Sequence, residues 1–251
     1  MEFKVIHIDE TDSTNRWLRE FVQQRDGSFV TSGGVTKEPS LCCMAEYQTA
    51  GKGCGSNTWE SERGKNLTFS LLLHPTGIKA NCQFRISEAV SVALCETLEA
   101  RLHTPMEIKW PNDIYVDDRK ICGILIENRL KGSTITDSIV GIGLNVNQRE
   151  FLSDAPNPVS IYQLTGEEMD REALLQAFLT AFSKVLETKP EALAEAYRSR
   201  LYRREGMHRF SDSQGVFEAK VQNVLDDGRL VLLDAEGKTR MYAFKEVVFC
   251  L

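Results

Sequence analysis

Lys109-Trp110-Pro111-Asn112-Asp113-Ile114-Tyr115-Val116-Asp117-Asp118-Arg119-Lys120-Ile121-Cys122-Gly123 reads as a strand, a stop and a hairpin. Ile108 to Trp110 is a short apolar-rich run. Pro111 ends it, because proline has no N–H to give to a ladder. Ile114-Tyr115-Val116 is a second strand, Asp117-Asp118 its turn, and Ile121 to Ile126 the returning strand. A hairpin of this kind holds Asp113 and Lys120 near each other on rigid elements. An acid beside a lysine suits chemistry in which an anion forms and an amine is delivered to it. A plainer reading, a surface hairpin with solvated charges, fits a lone Asp–Lys pair better; the surrounding sequence decides between them.

Working outward, Phe3 to Ile8 reads as a strand. Asp12-Ser13-Thr14-Asn15 then opens a helix running to about Gln24, with Trp17, Leu18, Phe21 and Val22 as its apolar face. Asp26 to Ser40 is rich in Gly, Ser and Thr and reads as loop. Leu41 to Tyr47 and Asn66 to Leu73 are strands, and Ile86 to Leu102 is a long helix. Ser138 to Val146 is a strand containing Gly141 and Gly143, which mark either tight packing or close approach of a ligand. Gln148 to Ser160 is a loop. Asp170 to Glu187 and Glu191 to Arg204 are helices, with Pro190 in the first turn of the second. After Gly206 the composition changes. Val216 to Val224, Arg229 to Asp234 and Thr239 to Phe244 are short alternating strands with turns at Asp227-Gly228 and Glu236-Gly237. Residues 1–205 are therefore expected as one large domain and 206–251 as a small β domain.

The chain has 251 residues, 42% of them apolar, and a formal net charge of −6. It is globular, and with no basic block it is not expected to bind nucleic acid. The first residues lack a basic segment followed by an apolar run, so no signal peptide is expected. No stretch is long enough to span a bilayer. Seven cysteines, at 42, 43, 54, 82, 95, 122 and 250, form no Cys-x-x-Cys pair, which argues against structural zinc and a disulfide framework. The cytoplasm is the expected compartment.

Three more groups of residues carry chemical meaning. Gly51-Lys52-Gly53-Cys54-Gly55 lets the backbone approach an anion while Lys52 adds positive charge, although most short glycine runs are plain turns. Gln48 ends the incoming strand and offers both a donor and an acceptor. Trp59 follows; its ring either stacks on a flat ligand or fills core. Ser13 and Thr14 stand at a helix start, as caps or as partners of a neutral polar ligand head. Asn145 and Asn147 end the glycine-containing strand, as turn residues or as contacts to a base or ribose.

Together these segments resemble the biotin–protein ligases. The resemblance is carried by Ser13-Thr14-Asn15, by Ala45 to Gly53 with Trp59, by Lys109 to Asp113, by Arg119-Lys120 with Gly123, and by Gly141-Ile142-Gly143-Leu144-Asn145-Val146-Asn147. It is strong over residues 8–147 and weaker to the C-terminus. It implies an α/β fold: a mixed sheet flanked by helices in a class II aminoacyl-tRNA synthetase-like core, then a small SH3-like β-barrel. It also implies two steps. The biotin carboxylate attacks the α-phosphate of Mg-ATP, giving biotinyl-5′-adenylate and pyrophosphate. A lysine of a biotin carboxyl carrier domain then takes the biotin as an amide. By the resemblance, Lys120, Asp113 and Lys52 are catalytic. Ser13, Thr14, Asn15, Gln48, Gly51, Lys52, Gly53, Cys54, Lys120 and Gly123 hold biotin. Trp59, Lys109, Asn112, Lys120, Gly143 and Asn145 hold the nucleotide, with loop 148–160 ordering over it. Mg²⁺ has no dedicated ligand set and bridges phosphates.

Two departures stand out. The family usually carries arginine after the position of Gly53, whereas Cys54-Gly55-Ser56-Asn57 has no basic residue, so this loop is expected to close weakly and to leak adenylate. The chain also opens directly on the catalytic strand, with no helix-turn-helix segment before it, so no DNA binding and no repressor activity are expected. A lipoate–protein ligase and a non-catalytic biotin or adenylate sensor are the alternatives. Gly33-Gly34 lacks the flanking residues expected of the first, and the presence of Lys120 and Asp113 argues against the second. A second copy of the chain, or the carrier domain, is a candidate partner for an exposed sheet edge.

Overall fold

The structure is a computed structural model that describes residues 2–25, 40–55, 57–75, 78–153 and 155–250. The segment read as loop from Asp26 lies outside the described residues up to Ser40. The chain forms two compact units, Met1–Ala80 with Ile121–Leu179, and Asn81–Lys120 with Thr180–Leu251.

The first unit is a mixed sheet with a helix on it. β1 (Phe3–Thr11) pairs in parallel with β2 (Ser40–Gln48), which pairs antiparallel with β3 (Leu67–Leu73). β3 pairs antiparallel with β7 (Thr134–Leu144), and β7 with β6 (Arg119–Lys131). β2 and β3 are buried almost throughout, as strands covered on both faces must be. The helix α1 (Thr14–Arg25) turns the expected apolar face to the sheet. Leu18 is buried with Leu41, Cys43, Leu72 and Ile139, and Trp17, Phe21 and Val22 pack around them. β6 and β7 form one long hairpin: β6 runs on to Lys131, past the expected Ile126, and β7 begins at Thr134, before the expected Ser138.

The second unit is built on α2 (Phe84–Leu102), β4 (Glu107–Lys109) and β5 (Asp113–Val116). β4 and β5 are antiparallel, with Lys109 directly opposite Asp113. α5 (Pro190–Arg198) packs on α2. It ends six residues before the expected Arg204, because the backbone there pairs with β4 instead. Ile108 N–H donates to the Arg200 carbonyl (2.7 Å) and Tyr202 N–H to the Ile108 carbonyl (3.0 Å). Five strands follow: β8 (His208–Asp212), β9 (Gly215–Val224), β10 (Leu230–Asp234), β11 (Thr239–Tyr242) and β12 (Val248–Phe249). They form an antiparallel sheet in the order β11-β10-β9-β8-β12. Two further helices are α3 (Ile161–Thr165) and α4 (Arg171–Val185). The free cysteines at 42, 43, 95 and 122 are buried, and burial raises the thiol pKa values of the first three. No helix of the described residues is long and apolar enough to cross a membrane.

Candidate active site

In the first unit the start of α1 is wired to the end of β2. The Thr14 backbone N–H and hydroxyl both donate to Gln48 Oε1, at 2.8 and 3.1 Å. Because a backbone N–H can only donate, the Gln48 carbonyl must face Thr14. Its Nε2 then faces Gly51, where an added Cβ would come within 3.2 Å of it. Ser70 on β3 lies 2.6 Å from both Thr14 Oγ1 and Asn15 Oδ1. Asn15 Nδ2 donates to Glu127 Oε2 (2.9 Å) and to the Leu125 carbonyl (3.4 Å). Asn15 therefore fastens α1 to β3 and β6, and its amide is fully engaged within the protein. Ser13, Thr14 and Asn15 are all buried.

The glycines of β7 now have a reason. A Cβ on Gly141 would lie 2.3 Å from Asn15 Oδ1, and one on Gly143 would lie 2.2 Å from Trp59 Cε2. Trp59 is laid flat against β7, and only glycine permits that approach. Gly123 stands directly across from Gly143 in the ladder. Gly51 is buried against the Trp59 carbonyl, 2.5 Å from where a Cβ would be, and its own carbonyl accepts from Trp59 N–H at 3.0 Å. Lys52 pairs with Thr58, and Gly53 N–H donates to the Asn57 carbonyl at 2.8 Å. The Gly51–Gly53 run is thus one arm of a tight hairpin that returns to Trp59. Lys52 is exposed on it, and Cys54 is half-buried.

Asn145 and Asn147 are buried. Asn145 donates from Nδ2 to the Val159 carbonyl at 3.1 Å. Asn147 exchanges both amide groups with Met169, each at 2.9 Å, so its side chain acts as a piece of ladder.

The second unit carries Lys109, Asp113 and Lys120. Lys120 Nζ lies 2.7 Å from Asp113 Oδ2, with both side chains about one-third exposed. Lys109, opposite Asp113, donates to the Tyr115 hydroxyl at 3.1 Å. Its ammonium lies 4.9 Å from the Tyr115 ring centroid and 5.5 Å from that of Phe249. Burial pulls the Lys109 pKa down against the attraction of Asp113, and Lys120 and Arg203 add to the lowering. The Trp110–Pro111 peptide is cis, and the turn after it is fixed from behind. The Pro111 carbonyl accepts from the Tyr197 hydroxyl (2.7 Å) and Ser87 Oγ (3.4 Å), and Trp110 Nε1 donates to the Gly228 carbonyl (2.8 Å). Asn112 is half-buried within this turn. Ser70 and Tyr197 have no motif around them, and pattern reading passes over them; Gly228 reads as a turn residue and not as a brace of the site. Among the described residues no group of three or more His, Cys, Asp or Glu gathers as a metal-ligand set.

The sequence profile of the biotin/lipoate A/B protein ligase family matches residues 11–145. The chain is 32% identical to the bifunctional ligase/repressor BirA of Bacillus spizizenii over 80% of its length, and that match spans 63% of the BirA chain. It is 30% identical to the biotin–[acetyl-CoA-carboxylase] ligase of Paracoccus denitrificans, covering 92% of this chain and 95% of that one. Among solved structures, the biotin protein ligase of Aquifex aeolicus in complex with biotin and ATP superimposes with a TM-score of 0.75 at 26% identity, covering 97% of each chain.

Proposed function

We infer the activity from one premise: the chain belongs to the biotin/lipoate A/B protein ligase family. Within that family its residues fit a biotin–protein ligase. The enzyme adenylates biotin with Mg-ATP, releasing pyrophosphate, and passes biotin to a lysine of a carboxylase carrier domain, releasing AMP. The observation that carries this reading is the 2.7 Å Lys120–Asp113 pair on its hairpin. Lys120 would offset the charge that builds as the biotin carboxylate meets the α-phosphate. Asp113, with Asn112 beside it, would orient or deprotonate the incoming lysine. Lys109 would add positive charge toward the phosphates, with Lys52 and the Gly53 backbone along the carboxylate. Mg²⁺ would enter with the phosphates as part of the substrate.

Thr14, Ser13 and Gln48 supply neutral partners for a ureido ring, whose unpaired groups would cost on the order of 1–3 kcal/mol each. A lipoyl dithiolane offers Gln48 Nε2 nothing to bond, which favours biotin over lipoate. Asn15 acts by positioning α1. Trp59 on Gly143 would stack on adenine, with Asn145 at the strand end. Among the described residues the strands after Gly206 form a sheet of their own, which supports reading 206–251 as an appended β domain, one that shares a compact unit with residues 81–120 and 180–205. The stretch Cys54 to Asn57, lacking a basic residue, would close weakly: rapid quench should find adenylate released without acceptor faster than it is transferred when acceptor is added. The test of the whole reading is biotin-dependent ATP–pyrophosphate exchange. Exchange with biotin and none with lipoate is expected; exchange with lipoate alone would reverse the assignment, and none with either would favour a sensor.

A further inference from the structure

Glu60 follows Trp59 directly, and its carboxylate is met by the chain that leaves β7. Oε1 accepts from Leu152 N–H at 2.9 Å and from Gln148 Nε2 at 3.2 Å, and Oε2 accepts from Ser153 N–H at 2.7 Å. The Ser153 hydroxyl bonds it as well. Burial would raise the carboxyl pKa, but these donors outweigh it and hold the group below the ordinary glutamate range. Two successive backbone N–H groups aimed at one carboxylate make an anion-binding nest, filled here by the protein's own side chain.

Gln148 extends the network and is buried. Its Oε1 accepts from Glu62 N–H (3.1 Å) and Asn66 Nδ2 (2.5 Å), while Nε2 also donates to the Glu150 carbonyl (2.9 Å). Ser160 Oγ, which caps α3, donates to the Gln148 carbonyl at 2.6 Å. Leu152 is 88% exposed, so this apolar side chain buries nothing that would hold the segment. The base of the segment is also held by Arg149, which pairs with Glu168 at 3.6 Å and lies over the Tyr162 ring, and by half-buried Phe151; its tip is held by hydrogen bonds, most of which Glu60 receives.

We propose that Glu60 is a positioning residue for the nucleotide: it latches residues 149–153 to the hairpin arm that carries Trp59, so that the segment stands in place beside the indole before ATP arrives. This rests on the reading of Trp59 as the adenine platform. A segment ordered in advance is not ordered at the ligand's expense, so loss of the latch acts on ATP and leaves biotin alone. The conservative amide keeps one acceptor but sets an NH₂ against a backbone N–H, so it opens the latch with little change in shape.

The test uses the full chain carrying Glu60→Gln, Glu60→Ala or Glu60→Asp. In pyrophosphate exchange, the KM for ATP should rise about tenfold in Gln and Ala while the KM for biotin stays within about twofold, with partial recovery in Asp. Limited proteolysis without ligand should cut within 149–153 faster in Gln and Ala than in the wild type. An unchanged ATP KM in an active Glu60→Gln, or equal rises in both KM values, overturns the proposal. Unchanged proteolysis overturns it too, whether or not the wild type catalyses exchange. Wild-type silence in exchange with faster cleavage in the variants would keep the latch and reject the ligase reading.

Discussion

The two units hold their polar residues in opposite ways. In the first unit, Thr14, Asn15, Gln48 and Ser70 are neutral, buried or half-buried, and bonded to one another at 2.6–3.1 Å. In the second, Lys109, Asp113 and Lys120 are charged and about one-third exposed or half-buried, with the turn behind them braced by Tyr197, Ser87 and Gly228. Neutral groups locked in advance discriminate a ligand by leaving it no unpaired atom. Charges fixed on rigid strands act where charge develops during reaction. Under the proposed function, recognition of an uncharged head would fall to the neutral groups of the first unit and activation to the charged hairpin of the second, with Lys52 of the first unit assisting.

Removing the carboxylate of the charged region should have the largest consequence. Asp113→Asn should slow transfer to the acceptor by about 10²-fold or more while biotin-dependent pyrophosphate exchange continues. Single-turnover transfer from preformed adenylate reads this, and equal losses in both steps would erase the division of roles. In the neutral region, Gly143→Ala forces a methyl to within 2.2 Å of the Trp59 ring. Overpacking of this kind costs about 1–3 kcal/mol, so a lower Tm and a KM for ATP raised about tenfold are expected, by calorimetry and exchange kinetics. Thr14→Val removes one donor to Gln48 and the acceptor that faces Ser70, and should weaken biotin about tenfold, with kcat little changed.

The smallest effect concerns pH. Glu88 on α2 is buried, and burial raises its carboxyl pKa to about 7, with Arg198 and Arg85 opposing and Asp226 adding to the rise. A raised folded-state pKa contributes stability that is full below the ordinary glutamate value and lost as pH rises through about 7. Glu88→Gln should therefore leave Tm unchanged near pH 4.5 and raise it by a few degrees at pH 8. The same Tm shift at both pH values would mean that the charge on Glu88 is not what matters.

Much of this was legible in the sequence because it is local. The apolar face of α1, the Pro111 stop and the Asp117-Asp118 turn each follow from neighbours within a few residues, and so did the pairing of Asp113 with Lys120. What pattern reading leaves open depends on partners far along the chain. Gly141 and Gly143 read equally as packing or ligand contacts until Asn15 and Trp59 are seen lying on them. Asn147 reads as a turn or a base contact, yet it bonds Met169. The end of α5 is set by β4, about ninety residues earlier, and β8 and β12 are too short and too mixed in composition to announce themselves. Glu60 belongs to no motif at all, since its meaning comes from backbone N–H groups at 152 and 153.

The central claim, that the charged hairpin activates and the neutral wiring recognises, is tested most directly in Lys120→Ala. Biotin-dependent ATP–pyrophosphate exchange and biotin binding by calorimetry would be measured on the same preparation. Exchange should fall by about 10²- to 10³-fold while the Kd for biotin changes by less than about tenfold. Exchange surviving near the wild-type rate with biotin still bound would contradict that claim.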